Sequence, residues 1–139
     1  MQEIYFEIIE FEQNTYHPLV QAELEGVDSY WWVIDTGASK SVFNTNLAGY
    51  YTLDHEDSIS ATGLGKELVE TNSAIISSIR LGGIDFGPLQ VALVDFLHIN
   101  EEYAKFSDKK IAGLIGSDFL VAHSAIIDFG AKKIFLLKQ

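Results

Sequence analysis

The chain has 139 residues, of which 47% are hydrophobic and 21% charged, a composition typical of one folded domain that excludes an intrinsically disordered protein. The absence of cysteine excludes a disulfide framework, a thiolate metal site and a cysteine nucleophile. A net charge of −11 leaves no basic surface for nucleic acid, so we expect no nucleic-acid partner.

The first third of the chain predicts short strands separated by turns. Residues 4–9 are rich in strand-forming side chains, and residues 17–24 alternate apolar with polar side chains. Residues 30–34 predict a buried strand whose two tryptophans point to opposite faces, one into the core and the other toward a cleft or interface. Strand character resumes at residues 41–43, and residues 44–48 predict a short helical turn.

The middle of the chain alternates polar segments with further strands. Residues 53–57 are polar and predict a loop, and residues 58–63 and 66–73 predict the two arms of a hairpin. Strands are predicted at residues 75–81 and 90–94, the first of them ending at a Gly-Gly pair.

The last third begins with residues 100–110, which are charged and predict a loop or one helical turn. An apolar strand then reaches Gly116, and a short helix follows, for which we expect Ser117 or Asp118 to be the cap. A final hairpin closes the chain at residues 126–137.

Many short strands with frequent turns indicate an all-β barrel or sandwich. We find no linker or change of composition, and therefore expect a single domain over residues 1–139. The strands near residues 4–9 and 134–137 are candidate edges for pairing with another chain.

Two segments contain the candidate functional residues. An apolar run leads into Asp35-Thr36-Gly37-Ala38-Ser39, which places a carboxylate at the end of a buried strand, followed by a residue that permits close backbone approach. A surface turn also favours aspartate and glycine, and these five residues alone leave that alternative open. Later, Leu114-Ile115-Gly116 also runs an apolar strand into a glycine.

Together these two motifs resemble the retropepsin family of aspartic proteases, over residues 31–137. Residues 35–39 match its Asp-Thr-Gly-Ala-Ser form, and residues 114–116 match its apolar-apolar-Gly motif. The resemblance implies a retropepsin-like closed β-barrel with a flap hairpin and one short C-terminal helix. The flap falls on residues 60–66, and we expect its central residues to contact substrate: Thr62, Gly63, Leu64 and Gly65.

By the same resemblance, Asp35 is the catalytic carboxylate of an aspartic endopeptidase. The sequence has one Asp-Thr-Gly, so the second carboxylate is Asp35 of another copy, in a homodimer that acts on a peptide or protein. Thr36 is expected to hydrogen-bond across the two-fold axis, and Gly37 to bring its N–H to the carboxylates. Ser39 is a candidate donor to Asp35, and Gly116 is expected to pass close to the catalytic loop.

Viral members of the family often carry an acid where Ser39 stands and a basic residue where Ser117 stands. Both are serine here, so the chain is more similar to cellular and bacterial members. The competing interpretation is a catalytically idle module with the same fold that binds peptides or dimerises. Asp85-Phe86-Gly87 and Asp128-Phe129-Gly130 lack the threonine and predict turns.

The sequence indicates no metal and no cofactor. Its histidines do not have the spacing of a metal site, and we interpret them as structural or surface residues: His17, His55, His98 and His123. No apolar run reaches the ~18 residues of a membrane span, and no signal peptide is evident, which predicts a cytoplasmic protein that does not engage a membrane.

Overall fold

The computed structural model describes residues 1–26, 28–62 and 68–138, which form mainly β-strands. The strands are β1 (Gln2–Tyr5), β2 (Glu7–Glu12), β3 (Thr15–Leu24), β4 (Asp28–Ile34), β5 (Val42–Asn44), β6 (Thr52–Thr62), β7 (Leu68–Ile76), β8 (Ile79–Leu81), β9 (Ile84–Asp85), β10 (Leu89–Val94), β11 (Ile111–Ile115), β12 (Ile126–Asp128) and β13 (Lys133–Leu136). The helices are a 3-10 turn at Ala48–Tyr50, α1 (Leu97–Tyr103) and α2 (Ser117–Ala122). The predicted all-β class is confirmed.

The strands form two sheets. The larger, ten-stranded sheet has the order β6-β7-β10-β5-β11-β4-β3-β8-β9, with β2 also paired to β3, and it curls into a half-barrel. The smaller sheet has the order β1-β13-β12. Because β13 is paired on both sides, the prediction that residues 134–137 form an edge was wrong, and the edges of this sheet are β1 and β12.

The centre of the large sheet brings the two sequence motifs together. Strand β11 runs parallel to β4, with Ile115 opposite Ile34, and antiparallel to β5. A side chain at Gly113 would come within 2.6 Å of the Trp32 ring, so only glycine fits at this position of β11 beside β4. The ends of β4 and β11, which carry the motifs, therefore lie side by side.

The core is divided between the two faces of β4. Trp32 and Ile34 belong to the larger apolar cluster, whereas Val33 belongs to a second cluster against which Trp31 packs. This alternation confirms that the two tryptophans face opposite ways, with Trp32 fully buried. By the same alternation, Asp35 shares the face of Val33 and the second cluster.

Helix α1 covers the second cluster. The sequence did not predict this helix. Phe96 and Tyr103 are buried and Ile99 packs beside them, a helical spacing of apolar residues inside an otherwise polar segment. The Asn100 side-chain amide donates to the Ile111 carbonyl oxygen at 3.0 Å and its oxygen accepts from the Ile111 N–H at 2.8 Å. These contacts fix the helix against the start of β11.

Two further boundaries differ from the prediction. Residues 53–57, expected to form a loop, lie inside β6, where the pairing with β7 shifts its register between Leu53 and Ser58. The apolar run at residues 4–9 is divided between β1 and β2 at Phe6, which is buried. Within the part of the chain that is described, no helix has the length and apolar character needed to cross a bilayer.

Candidate active site

Asp35 directly follows β4, and its backbone is anchored to β11. Its N–H donates to the Ile115 carbonyl oxygen at 2.9 Å, and its own carbonyl oxygen accepts from the Ala38 N–H at 3.1 Å. The Gly37 N–H donates to the Asp35 Oδ1 at 3.0 Å. The loop is thus a tight turn that holds a partly exposed carboxylate at the end of a buried strand.

The remaining residues of the first motif face outward. Thr36, Gly37 and Ser39 are exposed, and Ala38 is partly buried. Within the described part of the single chain, Gly37 donates to the Asp35 carboxylate, and no hydrogen bond joins Ser39 to it. The two-fold contacts expected of Thr36 need a second copy and therefore stay a prediction.

The second motif packs directly behind the first. A side chain at Gly116 would come within 2.8 Å of both the Ala38 carbonyl oxygen and the Lys40 carbonyl carbon. The Ser117 N–H donates to the same Ala38 oxygen at 2.7 Å. The structure therefore brings residues 35–39 and residues 114–116 into contact, with glycine required where the two loops meet.

Ser41 and Asp118 link the two loops, and the sequence did not single out this pair. The fully buried Ser41 hydroxyl accepts from the Gly116 N–H at 2.9 Å and donates to the Asp118 Oδ1 at 2.8 Å. Asp118 also accepts from the Ser41 N–H at 3.0 Å. The expected capping of α2 by Ser117 or Asp118 was wrong, because Gly116 is the N-cap residue and Asp118 turns toward Ser41 instead.

A polar chain extends from this pair toward the hairpin. Lys40 Nζ lies 3.7 Å from the Asp118 Oδ2 and donates to the Gln90 Oε1 at 3.0 Å. The Gln90 amide donates in turn to the Ser73 hydroxyl on β7 at 3.2 Å. The loop that follows Asp35 is thus connected to the base of the β6–β7 pair by side chains that sequence patterns do not reveal.

The expected flap is described in part. Strands β6 and β7 pair antiparallel up to Thr62 opposite Leu68, in agreement with the two predicted hairpin arms. Thr62 is the last residue of β6, and Gly63, Leu64 and Gly65 lie outside the described residues.

Residues 128–130 lead into a turn, as predicted, whereas Asp85 ends strand β9 and residues 86–88 are irregular. The Asp85 carboxylate accepts from the Gly87 N–H at 2.8 Å, and the Asp128 carboxylate accepts from the Ala131 N–H at 2.9 Å. Among residues 1–26, 28–62 and 68–138, no group of three or more histidine or acidic side chains is arranged to hold a metal ion.

The pKa of Tyr103, on α1, is affected by burial and by the charge of the candidate catalytic residue Asp35. Burial raises the pKa of Tyr103 to about 12, and the negative charge of Asp35 acts in the same direction. The Tyr103 hydroxyl is hydrogen-bonded to the His17 Nδ1. The phenol therefore stays neutral throughout the physiological pH range.

Comparison with known proteins identifies the architecture. A family model described as aspartyl protease matches residues 20–119. The retroviral protease-like domain of Ddi1 from Leishmania major superposes with a TM-score of 0.54 at 19% identity, covering 85% of this chain and 86% of that one. A retropepsin-like aspartic protease from Rickettsia conorii has a TM-score of 0.54 at 18% identity, covering 97% of this chain and 90% of that one.

No curated protein matches the sequence. The solved structures share the fold, and the family model spans both loops of the candidate site. The chain therefore belongs to the aspartyl protease family and has the retropepsin-like fold.

Proposed function

We propose that the protein is an aspartic endopeptidase that acts as a homodimer, with Asp35 of each copy supplying one carboxylate. The observation that carries the proposal is the way Asp35 is held. The carboxylate emerges from a buried strand, is anchored through its N–H to Ile115, and remains partly exposed beside the exposed Thr36 and Gly37. A rigid loop that presents a carboxylate on an open surface suits a site completed by a second copy.

The proposed chemistry needs two carboxylates close together. Like charges about 3 Å apart disfavour double ionisation, so the pair shares one proton, and the aspartic-protease dyad is the standard example of this effect. The ionised carboxylate accepts a proton from water, which attacks the scissile carbonyl carbon, while the protonated carboxylate polarises the carbonyl oxygen. The Gly37 N–H, which already donates to Asp35, helps to hold the ionised oxygen in place.

The proposed substrate is a peptide segment of a protein, held between the Asp35 pair and the β6–β7 hairpin. Thr62, Gly63, Leu64 and Gly65 are the proposed hairpin contacts, by resemblance to the family. The Lys40 to Gln90 hydrogen bond supports this arrangement, since it connects the catalytic loop to the strands beside the hairpin. A peptide-library cleavage profile of the wild-type protein identifies the preferred side chains.

Asp35→Asn tests the proposed activity. The amide is nearly isosteric, so the fold should be retained, but it cannot take a proton from water. We expect the cleavage rate of denatured casein to fall by at least about 100-fold, the lower end of what general acid–base catalysis contributes. Asp108→Asn, at an exposed position after α1, is the matched control and should cleave at the wild-type rate.

Two outcomes contradict the proposal. Asp35→Asn protein that cleaves casein as fast as wild type would show that another group or a contaminant does the chemistry. A wild-type protein that dimerises yet cleaves neither casein nor any library peptide would establish the idle binding module instead.

A further inference from the structure

His17 and the candidate catalytic residue lie at the same end of the β3–β4 pair, although the sequence indicated only a structural or surface role for His17. Strands β3 and β4 pair from Leu24 opposite Asp28 to Leu19 opposite Val33, an antiparallel register in which each pair of residue numbers sums to 52. If this register is continued for two residues beyond the last pair, which is one full pleat, His17 lies opposite Asp35. Directly opposed residues of an antiparallel pair share a face, with Cβ atoms about 5 Å apart.

Tyr103 supports this placement independently of the register. Its hydroxyl bonds the His17 Nδ1, and the charge of Asp35 acts on the same phenol. Tyr103 therefore contacts His17 and lies on the face of the sheet that α1 covers, which is the face of Val33. The buried phenol ring belongs to the cluster that contains Val33, two residues before Asp35.

The His17 ring is held on two sides by aromatic residues. Phe11 stacks on it with ring centroids 5.1 Å apart and an interplanar angle of 12°, and Tyr103 meets it edge-on at 5.6 Å. Phe106 packs on the outer side of Phe11 at 4.7 Å. Because His17 stays half-buried, its orientation is fixed while part of the ring remains open to a ligand.

We propose that His17 is a substrate-positioning residue, oriented by Tyr103 and Phe11, that hydrogen-bonds a main-chain carbonyl of the peptide beside the scissile bond. When the Tyr103 hydroxyl donates to Nδ1, the neutral imidazole carries its proton on Nε2 and offers a single donor there. A peptide lying across Asp35 passes His17 and presents carbonyl oxygens as its regular acceptors. This inference rests on the proposed peptidase function.

The test compares steady-state kinetics of four variants on a peptide that spans a bond cleaved by wild type in denatured casein. His17→Ala should lower kcat/KM by about 3- to 10-fold, the worth of one hydrogen bond, mainly through KM. His17→Gln, which retains a side-chain N–H donor, should recover most of that loss. Tyr103→Phe removes only the orienting hydroxyl and should lower kcat/KM by about 2- to 3-fold.

Tyr16→Ala is the matched control, since Tyr16 precedes His17 on β3, points to the opposite face and is 56% exposed. It should leave kcat and KM unchanged. The inference is overturned if His17→Ala behaves like Tyr16→Ala, or if His17→Gln recovers nothing while both proteins have the wild-type melting temperature. If His17→Ala does not fold, unchanged kinetics of Tyr103→Phe overturn it equally. A wild-type protein without any cleavage would refute the peptidase itself, and this inference with it.

Discussion

At the scale of single residues, the candidate site depends on close backbone contact between two loops. Gly116 lies where the Ala38 and Lys40 carbonyl groups approach the end of β11. Its N–H donates to the Ser41 hydroxyl oxygen. The buried Gly116 N–H and the buried Ser41 hydroxyl are hydrogen-bonded to each other, and the hydroxyl donates in turn to the Asp118 carboxylate. This closed set of hydrogen bonds holds the loop that follows Asp35 against the end of β11.

Gly116→Ala should disturb this contact. The added Cβ would lie 2.8 Å from backbone atoms, which side-chain rotation cannot relieve, so we expect a loss of about 1–3 kcal/mol or more in the free energy of unfolding. Urea denaturation measures the change. Gly49→Ala is the control, because nothing lies within 4 Å of its added Cβ, and it should change stability by no more than about 0.5 kcal/mol. Equal stability of the two variants would show that the loops are not tightly packed.

At the scale of elements, β12 is the edge best suited to pair with a second copy. Among the described strands it pairs with β13 alone, its residue Ile126 is 55% exposed, and Phe129 beside it is 53% exposed. Edge strands with exposed apolar side chains favour association with another chain. The strand follows α2, which starts directly after residues 114–116, so a contact made at β12 is close in sequence to the candidate site.

Ile126→Lys should weaken the proposed dimer. In a two-fold contact the substitution occurs twice, so apolar burial is lost on both copies and two ammonium groups must lose water. We expect the dissociation constant to rise by at least about tenfold. Sedimentation equilibrium measures it. Leu97→Lys, at a 62% exposed position on α1, is the control and should dimerise like wild type. If Leu97→Lys dissociates and Ile126→Lys does not, the interface lies on the α1 side of the molecule.

The elements show how far the sequence predicts this fold. The strand leading to Asp35, strand β11 and the closing hairpin were predicted, because each is an apolar run ended by a glycine or a turn. Helix α1 was not, since its apolar residues are interrupted by charged ones and its form depends on packing against β11. The pairing of Ser41 with Asp118 joins residues 77 positions apart, and local patterns carry no signal for such a contact.

At the scale of the whole molecule, acidic side chains make folding dependent on pH. Partial burial tends to raise the pKa of Asp85, but hydrogen bonds from the Gly87 and Ile79 N–H groups and the Ser78 hydroxyl outweigh it and lower the pKa overall. The Leu97 N–H and the Asn46 side chain lower the pKa of Asp95. A group whose pKa is lower in the folded state stabilises the fold above its unfolded value and loses that effect as pH falls.

We therefore expect the urea midpoint to be nearly constant from neutrality down to about pH 5 and to fall below about pH 4, where unfolded carboxylates bind protons that the folded ones resist. Asp85→Asn should reduce the slope of this decline. The same substitution at the exposed Asp108 serves as the comparison. A midpoint that rises between pH 5 and pH 3 would contradict this assignment.

The central claim is that two Asp35 carboxylates from two copies form one active site, and subunit mixing tests it most directly. Adding an equal amount of Asp35→Asn protein, after exchange, should reduce the activity per wild-type chain to about half, because random pairing gives half of the wild-type chains an inactive partner. The control is the same addition of Asp35→Asn protein that also carries Ile126→Lys, which should reduce activity far less. Activity that stays constant at every ratio of Asp35→Asn protein would show that each chain holds a complete site, and would contradict the account.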